Sequence, residues 1–180
     1  MDSFISLSIT EEMLLLSLDD EKGKLIYCDS NVLRFVLAGG VLFDLLIQKE
    51  IEIEKDEVVS WPKDLTGNPV LDLAIERMAK KNHIKKLNYW IRQLARDYGK
   101  VKPILLEKLV ALGAVKKEAH TFLRAFSYNR YPTDNARIED RIRLRIRDSL
   151  FGDDAIDPRG FIILTLIGAA KLEAEVFGED

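Results

Sequence analysis

Apolar residues recur at three- and four-residue spacing through most of this chain, in segments divided by Gly, Pro and Asn stop signals, and that pattern commits it to a mainly α fold. Ser8 and Glu11 have the spacing of a capping box ahead of Met13–Leu16 and Leu18, and Gly23 closes that unit. A second helix is predicted over Val32–Gln48. Its adjacent Gly39 and Gly40 each cost on the order of 1 kcal/mol in a helix, so another backbone is expected to approach closely around Ala38-Gly39-Gly40. Asn68-Pro69 opens a third helix. A fourth is predicted over Lys85–Asp97, with Leu87, Trp90, Ile91, Leu94 and Tyr98 as its apolar stripe and Lys85, Arg92 and Arg96 opposite. Pro103 suits the first turn of a fifth helix that ends at Leu112 with Gly113 as a left-handed cap. A sixth, over Asn135–Leu150, directs Ile138, Ile142, Ile146 and Leu150 inward. The seventh follows Asp157-Pro158. Because Phe161–Ala170 is apolar around its whole circumference, this helix is expected to be the central buried one. Two hairpins interrupt the helices: Ile51–Glu54 with Val58–Ser60 around Lys55-Asp56, and Thr121–Phe126 with Asn129–Tyr131. The expected architecture is a single domain over residues 1–180. It is a helical bundle with a central hydrophobic helix, surrounding amphipathic helices and one or two short β-hairpins. At 180 residues, 47% hydrophobic, the chain can bury a real core.

Charge is distributed unevenly. Residues 1–79 carry sixteen acidic and seven basic side chains, whereas residues 80–102 carry eight basic ones and the single acid Asp97. The eight are Lys80, Lys81, Lys85, Lys86, Arg92, Arg96, Lys100 and Lys102. A block of net charge +7 within a chain of net charge −3 suits an anionic partner: lipid, nucleic acid or a phosphorylated group. A second run, Arg137, Arg141, Arg143, Arg145 and Arg147, is interleaved with Glu139, Asp140 and Asp148. Glu139 and Arg143 stand at i,i+4, so a salt-bridged helix face is expected there.

Enzymatic chemistry finds little support. Neither His83 nor His120 has a neighbouring acid and nucleophile, and both read as surface histidines. The chain has no phosphate-binding glycine loop, and one cysteine with two histidines leaves no zinc set, so no metal and no cofactor are expected. Lone Cys28 gives no internal disulfide, and the acidic Met1-Asp2-Ser3 does not open a secretory signal. A cytoplasmic setting is therefore expected.

Six stretches, in order and with matching spacing, carry a family likeness: EEMLLLSLDDEKGKL (11–25), LAGGVLFDLLIQKEIEIE (37–54), LTGNPVLDLAIERM (65–78), LLEKLVALGAV (105–115), RYPTDN (130–135) and DPRGFIILTLIGAAKL (157–172). With them the chain resembles the Golgi phosphoprotein 3 family, as a compact prokaryotic-type member. The most informative patterns are the D-x-x-G after the first helix, L-x-G-x-x-L-x-[DE]-L and T-G-[DN]-x-x-L-D. The resemblance implies a hydrophobic bundle ringed by amphipathic helices, with a protruding hairpin that serves oligomerisation and membrane contact. It also implies a peripheral membrane protein that recognises phosphatidylinositol 4-phosphate. The family's lipid-site residues fall at Asp29, Ala38, Gly99 and Lys102, and only Lys102 keeps the family's basic character. Tyr27, Arg34, Arg96, Lys100 and Lys102 are accordingly the candidate lipid- or anion-binding residues. Arg124, Phe126, Tyr128 and Arg130 are the candidate membrane or oligomer residues of the second hairpin.

The resulting expectation is a non-enzymatic peripheral protein binding anionic membrane lipid or phosphorylated headgroups on the cytoplasmic face of a membrane, with a homo-oligomer formed through the hairpin near residues 121–131. Two alternatives stand beside it. Leu42–Val59 and Leu106–Phe126 each read as helix, tight turn and hairpin, the outline of a winged-helix nucleic-acid binder. Both units carry too many acids around their helices for phosphate, however, and no nucleic acid is expected. The other is a protein–protein adaptor without lipid binding, using the acidic N-terminal half. Of the aromatics, Trp90 is assigned to the core, Trp61 to packing against the bundle, and Tyr89 to a place beside Arg92 and Arg96.

Overall fold

The computed structural model describes residues 6–26, 30–122, 126–151 and 157–178. Its fold is mainly α with small antiparallel strand pairs. Helix α1, Ile9–Leu15, starts at the capping box its spacing requires: Glu11 N donates to Ser8 Oγ and Ser8 N donates to Glu11 Oε2. All seven of its residues are buried, among them Glu11 and Glu12. The reason lies in α2, Ser30–Ile47, against which α1 packs. A Cβ on Gly40 would stand 3.0 Å from Thr10 Oγ1 and 3.1 Å from Thr10 Cα, and one on Gly39 would stand 3.3 Å from Leu166 of α7. The glycine pair thus lets two helices press on one stretch of α2, as the sequence led one to expect.

That stretch corrects one expectation. The central helix is α2, whose residues 36–42 are buried without interruption. Helix α7, Pro158–Ala170, buries Ile163, Leu166, Ile167 and Ala170 but leaves Phe161 59% exposed. An apolar circumference shows that a helix can be buried all round, not that neighbours cover it.

Helix α3, Pro69–Lys81, is capped by the Asn68 side chain and stops at left-handed Asn82. The next two helices differ from expectation at their junction. Helix α4, Leu87–Leu94, runs through a 3₁₀ turn, Ala95–Asp97, directly into α5, Tyr98–Ala111. Pro103 therefore lies in the second turn of α5 rather than at its start. Its missing N–H frees the carbonyl of Gly99, and Gly99 is exposed, so water can take the bond. Lys85–Lys86, assigned above to the helix, forms a short strand instead. Strands β1 (Glu52–Glu54) and β2 (Glu57–Ser60) turn through Lys55 and Asp56, both at positive φ, and β3 (Lys85–Lys86) pairs with β2, placing Lys86 opposite Glu57.

The second hairpin is also shifted. Strands β4 (Glu118–Phe122) and β5 (Phe126–Arg130) pair antiparallel with Phe122 opposite Phe126. Phe126 begins a strand and Tyr128 sits opposite His120, which removes Tyr128 from the tip where the sequence reading put it. Helix α6, Ala136–Phe151, buries Ile138, Ile142 and Ile146 as expected, but Leu150 is 46% exposed. Its neighbour Ser149 is the residue that meets Gly160 of α7, which turns Leu150 outward. Helix α8, Glu173–Phe177, ends the described chain. Among the described residues, no helix is long and apolar enough to cross a membrane.

Two arginines of the second basic run, Arg143 and Arg145, are spent on buried carboxylates. Arg143 pairs with Glu139 at 2.5 Å, at the anticipated i,i+4 spacing. Arg145 and Arg159 hold buried Glu12 at 2.5 and 3.1 Å, and Lys108 holds buried Glu11 at 2.6 Å. Glu139 is 4% exposed, and burial pushes its carboxyl up to about 7 although Arg143 opposes the shift; the nearby Asp20 adds to it. The folded state therefore binds this proton more tightly than the unfolded chain. Its stabilising share is complete below the ordinary carboxyl value of 4.5 and is lost as pH rises through about 7. Glu139→Gln is expected to flatten that dependence and to raise stability at pH 8 by about 2 kcal/mol. Urea midpoints at pH 5 and pH 8 measure it.

Candidate functional site

Helix packing divides the cationic block into separate surfaces. Its one acid, Asp97, is buried at the end of the 3₁₀ turn and accepts from Arg77 of α3, with Nε at 2.7 Å and Nη2 at 2.6 Å. Arg77 precedes the block, so Asp97 is neutralised from outside it. Among the described residues, none of the eight cations from Lys80 to Lys102 forms an ion pair with a carboxylate.

The first surface lies between the N-terminal turns of α2 and the α4–α5 junction. Arg34 of α2 is half-buried and lines a narrow cleft together with Leu94, Asp97, Tyr98 and Val101. Its guanidinium carbon is 5.0 Å from the centre of the Phe35 ring, and its Nε is buried with no hydrogen-bond partner among the described residues. Lys102 places Nζ 5.8 Å from the centre of the Tyr98 ring. Burial holds the Lys102 ammonium below the usual lysine range. Arg34 thus shares a cleft with Tyr98, and Lys102 approaches the Tyr98 ring from the next turn of α5. Ala38, which also lines the cleft, is buried, and Gly99 stands in open space.

Lys100 belongs elsewhere. With Leu73, Glu76, Arg77, Lys80 and Asp97 it lines a second cleft, between α3 and α5, of about 250 Å³. Leu73 and Asp97 line both clefts, so the two are contiguous. Arg96 is exposed and donates to Gln93 Oε1 at 3.2 Å, in neither cleft. Tyr27 and Asp29 lie outside the described residues.

In the second hairpin, Tyr128 stacks on His120, with ring centres 5.7 Å apart and planes 21° from parallel. Arg130 Nη2 donates to Tyr128 Oη at 3.1 Å, and Lys24 Nζ comes within 5.9 Å of the ring centre. Arg124 and the side chain of Phe126 lie outside the described residues. Sequence reasoning missed two participants, Lys24 and Arg77. Each reaches its partner across the fold, and no local spacing advertises either.

The base of this hairpin is clasped to the loop after α1. Tyr131 N donates to Gly23 O, Thr133 N to Asp20 O, and Thr133 Oγ1 to Asp20 Oδ1. Gly23, at φ 59°, is packed so closely that a Cβ there would overlap the backbone of Tyr131 and Pro132. The D-x-x-G pattern thus marks a backbone-on-backbone contact.

Vacuolar protein sorting-associated protein 74 of Schizosaccharomyces pombe is 27% identical over 161 residues, which cover 78% of this chain and 47% of that protein. The chain spans about half the length of this curated relative. The family model described as Golgi phosphoprotein 3 matches residues 9–180, which include the D-x-x-G clasp, the glycine pair of α2 and the capped starts of α3 and α7, and the chain belongs to the Golgi phosphoprotein 3 family.

Proposed function

We propose that this protein is a non-enzymatic peripheral membrane protein that binds a phosphorylated lipid headgroup on the cytoplasmic face of a membrane, with Arg34 and Lys102 as the gripping cations. The observation that carries the reading is their relation to one tyrosine at a helix junction: half-buried Arg34, whose buried Nε has no hydrogen-bond partner among the described residues, lines a cleft with Tyr98, and half-buried Lys102 lies over the Tyr98 ring. Around them stands a face of cations without carboxylate partners among the described residues. Arg supplies a planar fork suited to phosphate, and Lys a compact charge. The surrounding block adds about 1 kcal/mol for each residue near an anionic surface, so specificity falls to the cleft. The relative's name, which speaks of vacuolar protein sorting, supports a role at membranes.

Sedimentation with vesicles tests the reading. Binding is expected to vesicles carrying phosphatidylinositol 4-phosphate at low salt and to weaken as salt rises, since screening shortens the reach of the field. Arg34→Ala with Lys102→Ala is expected to weaken it about a hundredfold, because two charge-assisted hydrogen bonds to the phosphate disappear. Equal pelleting on neutral and anionic vesicles would overturn it. A second outcome follows from the depressed pKa of Lys102. Its charge is lost at lower pH than that of an ordinary lysine, so vesicle binding falls on the alkaline side before exposed lysines titrate. The folded protein also holds this proton less tightly than the unfolded chain, so the residue opposes folding most at low pH, and Lys102→Met is expected to preserve stability while losing affinity.

A further inference from the structure

Helix α6 carries a segment that reads the same in both directions. Asp140-Arg141-Ile142-Arg143-Leu144-Arg145-Ile146-Arg147-Asp148 is symmetric about Leu144. The fold accounts for its inner positions: Ile142 and Ile146 are buried, and Arg143 and Arg145 pair with Glu139 and Glu12. It does not account for the outer ones. Asp140, Arg141, Leu144, Arg147 and Asp148 are all exposed, Leu144 by 58%. Among the described residues, none of these four charged side chains forms an ion pair.

At about 100° per residue, Arg141 and Asp148 fall on one side of Leu144 and Asp140 and Arg147 on the other, each within about 60° of it. The surface follows that division. Leu144, Arg141 and Asp148 line a hollow of about 330 Å³ bordered by Ser6 and Leu7. Leu144, Asp140 and Arg147 line one of about 190 Å³ bordered by Val176 and Phe177. Leu144 is thus an apolar ridge with one unpaired cation and one unpaired anion on each flank. A solvated helix face is the ordinary reading of mixed charges, but this spacing serves no pairing within the helix. The cation and anion of each flank are seven residues, or about 10.5 Å, apart, beyond the reach of i,i+3 and i,i+4 pairs. A lone exposed leucine is also ordinary. One at the centre of a charge pattern that repeats in reverse order is not explained by solvation.

We propose that two copies of this chain associate through the outer face of α6, antiparallel about a twofold axis that passes at Leu144. In such an isologous contact residue i meets residue j, and j meets i in return. The twofold turn keeps each flank facing the same flank of the other copy and reverses the order along the helix. Arg141 then stands opposite the partner's Asp148 and Asp140 opposite the partner's Arg147, each pair offset by about 1.5 Å along the helix. The two Leu144 side chains meet between them, so four complementary pairs surround an apolar centre. A parallel dimer would instead pair Asp140 with Arg141 and Arg147 with Asp148; opposed helix dipoles favour the antiparallel one. A single helix face is smaller than a standard interface, so a dissociation constant on the order of micromolar or weaker is expected. The contact requires neither the lipid reading above nor the second hairpin.

Sedimentation velocity on the full chain, without lipid, is expected to pass from monomer to dimer as concentration rises to about 1 mM, a range that covers contacts smaller than the standard interface. Asp148→Arg sets like charges opposite each other twice in the dimer and is expected to raise the dissociation constant about tenfold or more. Adding Arg141→Asp exchanges the two charges and re-forms both pairs in the antiparallel arrangement alone. The constant should then return to within about threefold of the parent value. In the parallel arrangement the same double variant would set like charges together at every pair and weaken the dimer further. Both positions are exposed, so the variants should fold, and circular dichroism verifies it. Leu144→Cys in a Cys28→Ser chain gives a second measurement. A residue on the axis meets its own copy, so oxidation is expected to yield a disulfide dimer, whereas Phe161→Cys, at an equally exposed position of α7, should stay monomeric. A chain monomeric throughout the range, indifference to Asp148→Arg, no recovery on exchange, or equal cross-linking from both cysteine variants would overturn the proposal. So would a dimer abolished by Tyr128→Ala and untouched by Asp148→Arg, which would move the contact to the second hairpin.

Discussion

A Gly23→Ala chain is expected to melt about 8–16 °C below the parent, from a loss of about 4 kcal/mol at 2–4 °C per kcal/mol for a chain of this size. Two effects combine. Alanine at φ 59° is strained by about 1–2 kcal/mol wherever it sits. Here its Cβ would also enter the backbone of Tyr131 and Pro132, so the clasp must open, and three hydrogen bonds worth about 0.5–1.5 kcal/mol each go with it. Gly113 provides the control. It too has positive φ, 69°, but a Cβ there meets nothing within 4 Å. Gly113→Ala should therefore cost the strain alone. If differential scanning calorimetry finds the two substitutions equally damaging, the clasp does not hold the hairpin base.

Asp44→Ala is expected to cost about 3–6 kcal/mol, read as a shift of the urea midpoint at constant slope. Asp44 is 3% exposed and accepts from Ile9 N at 2.8 Å, Thr10 N at 3.0 Å and Thr10 Oγ1 at 2.6 Å. Alanine would leave three buried donors unsatisfied at the start of α1, each costing about 1–3 kcal/mol. The carboxylate also faces the positive end of that helix. Asp44→Asn keeps the carbonyl but turns an NH₂ toward N–H groups, so it should fall between the parent and the alanine variant. Ser8→Ala, which removes only the conventional cap of the same helix, should cost about 1 kcal/mol. A loss at Asp44 no larger than that at Ser8 would mean the buried carboxylate is dispensable.

Much of the helical frame was legible because its signals are local. Ser8 with Glu11, Asn68 before Pro69, and Asp157 before Pro158 each cap the helix that follows them, within three residues of chain. The glycine pair of α2 was readable because a helix tolerates such a cost only for close packing. What failed depended on partners distant in sequence. Lys85–Lys86 is a strand because β2 offers it an edge, and Asp44 reads as a surface acid on α2 until α1 is laid over it.

The candidate surface divides in the same way. The excess of cations was plain from composition, but its partition was not. Lys100 and Lys102, two residues apart on one helix, project about 200° apart, so one joins Arg77 and Lys80 while the other joins Tyr98. Arg77 and Asp97 are twenty residues apart and show no mutual pattern, yet their ion pair lies where the clefts meet.

The burial of α1 has a consequence for the newborn chain. This helix is translated well before its cover: Glu12 waits for Arg145 and then Arg159, and Arg159 also reaches back to the carbonyl of Leu7. At about 5–20 residues per second, an oily segment bearing two carboxylates stays unsheltered for on the order of ten seconds while the ribosome finishes the rest. Holdase chaperones should therefore engage the α1 segment during synthesis, and release should await α6 and α7.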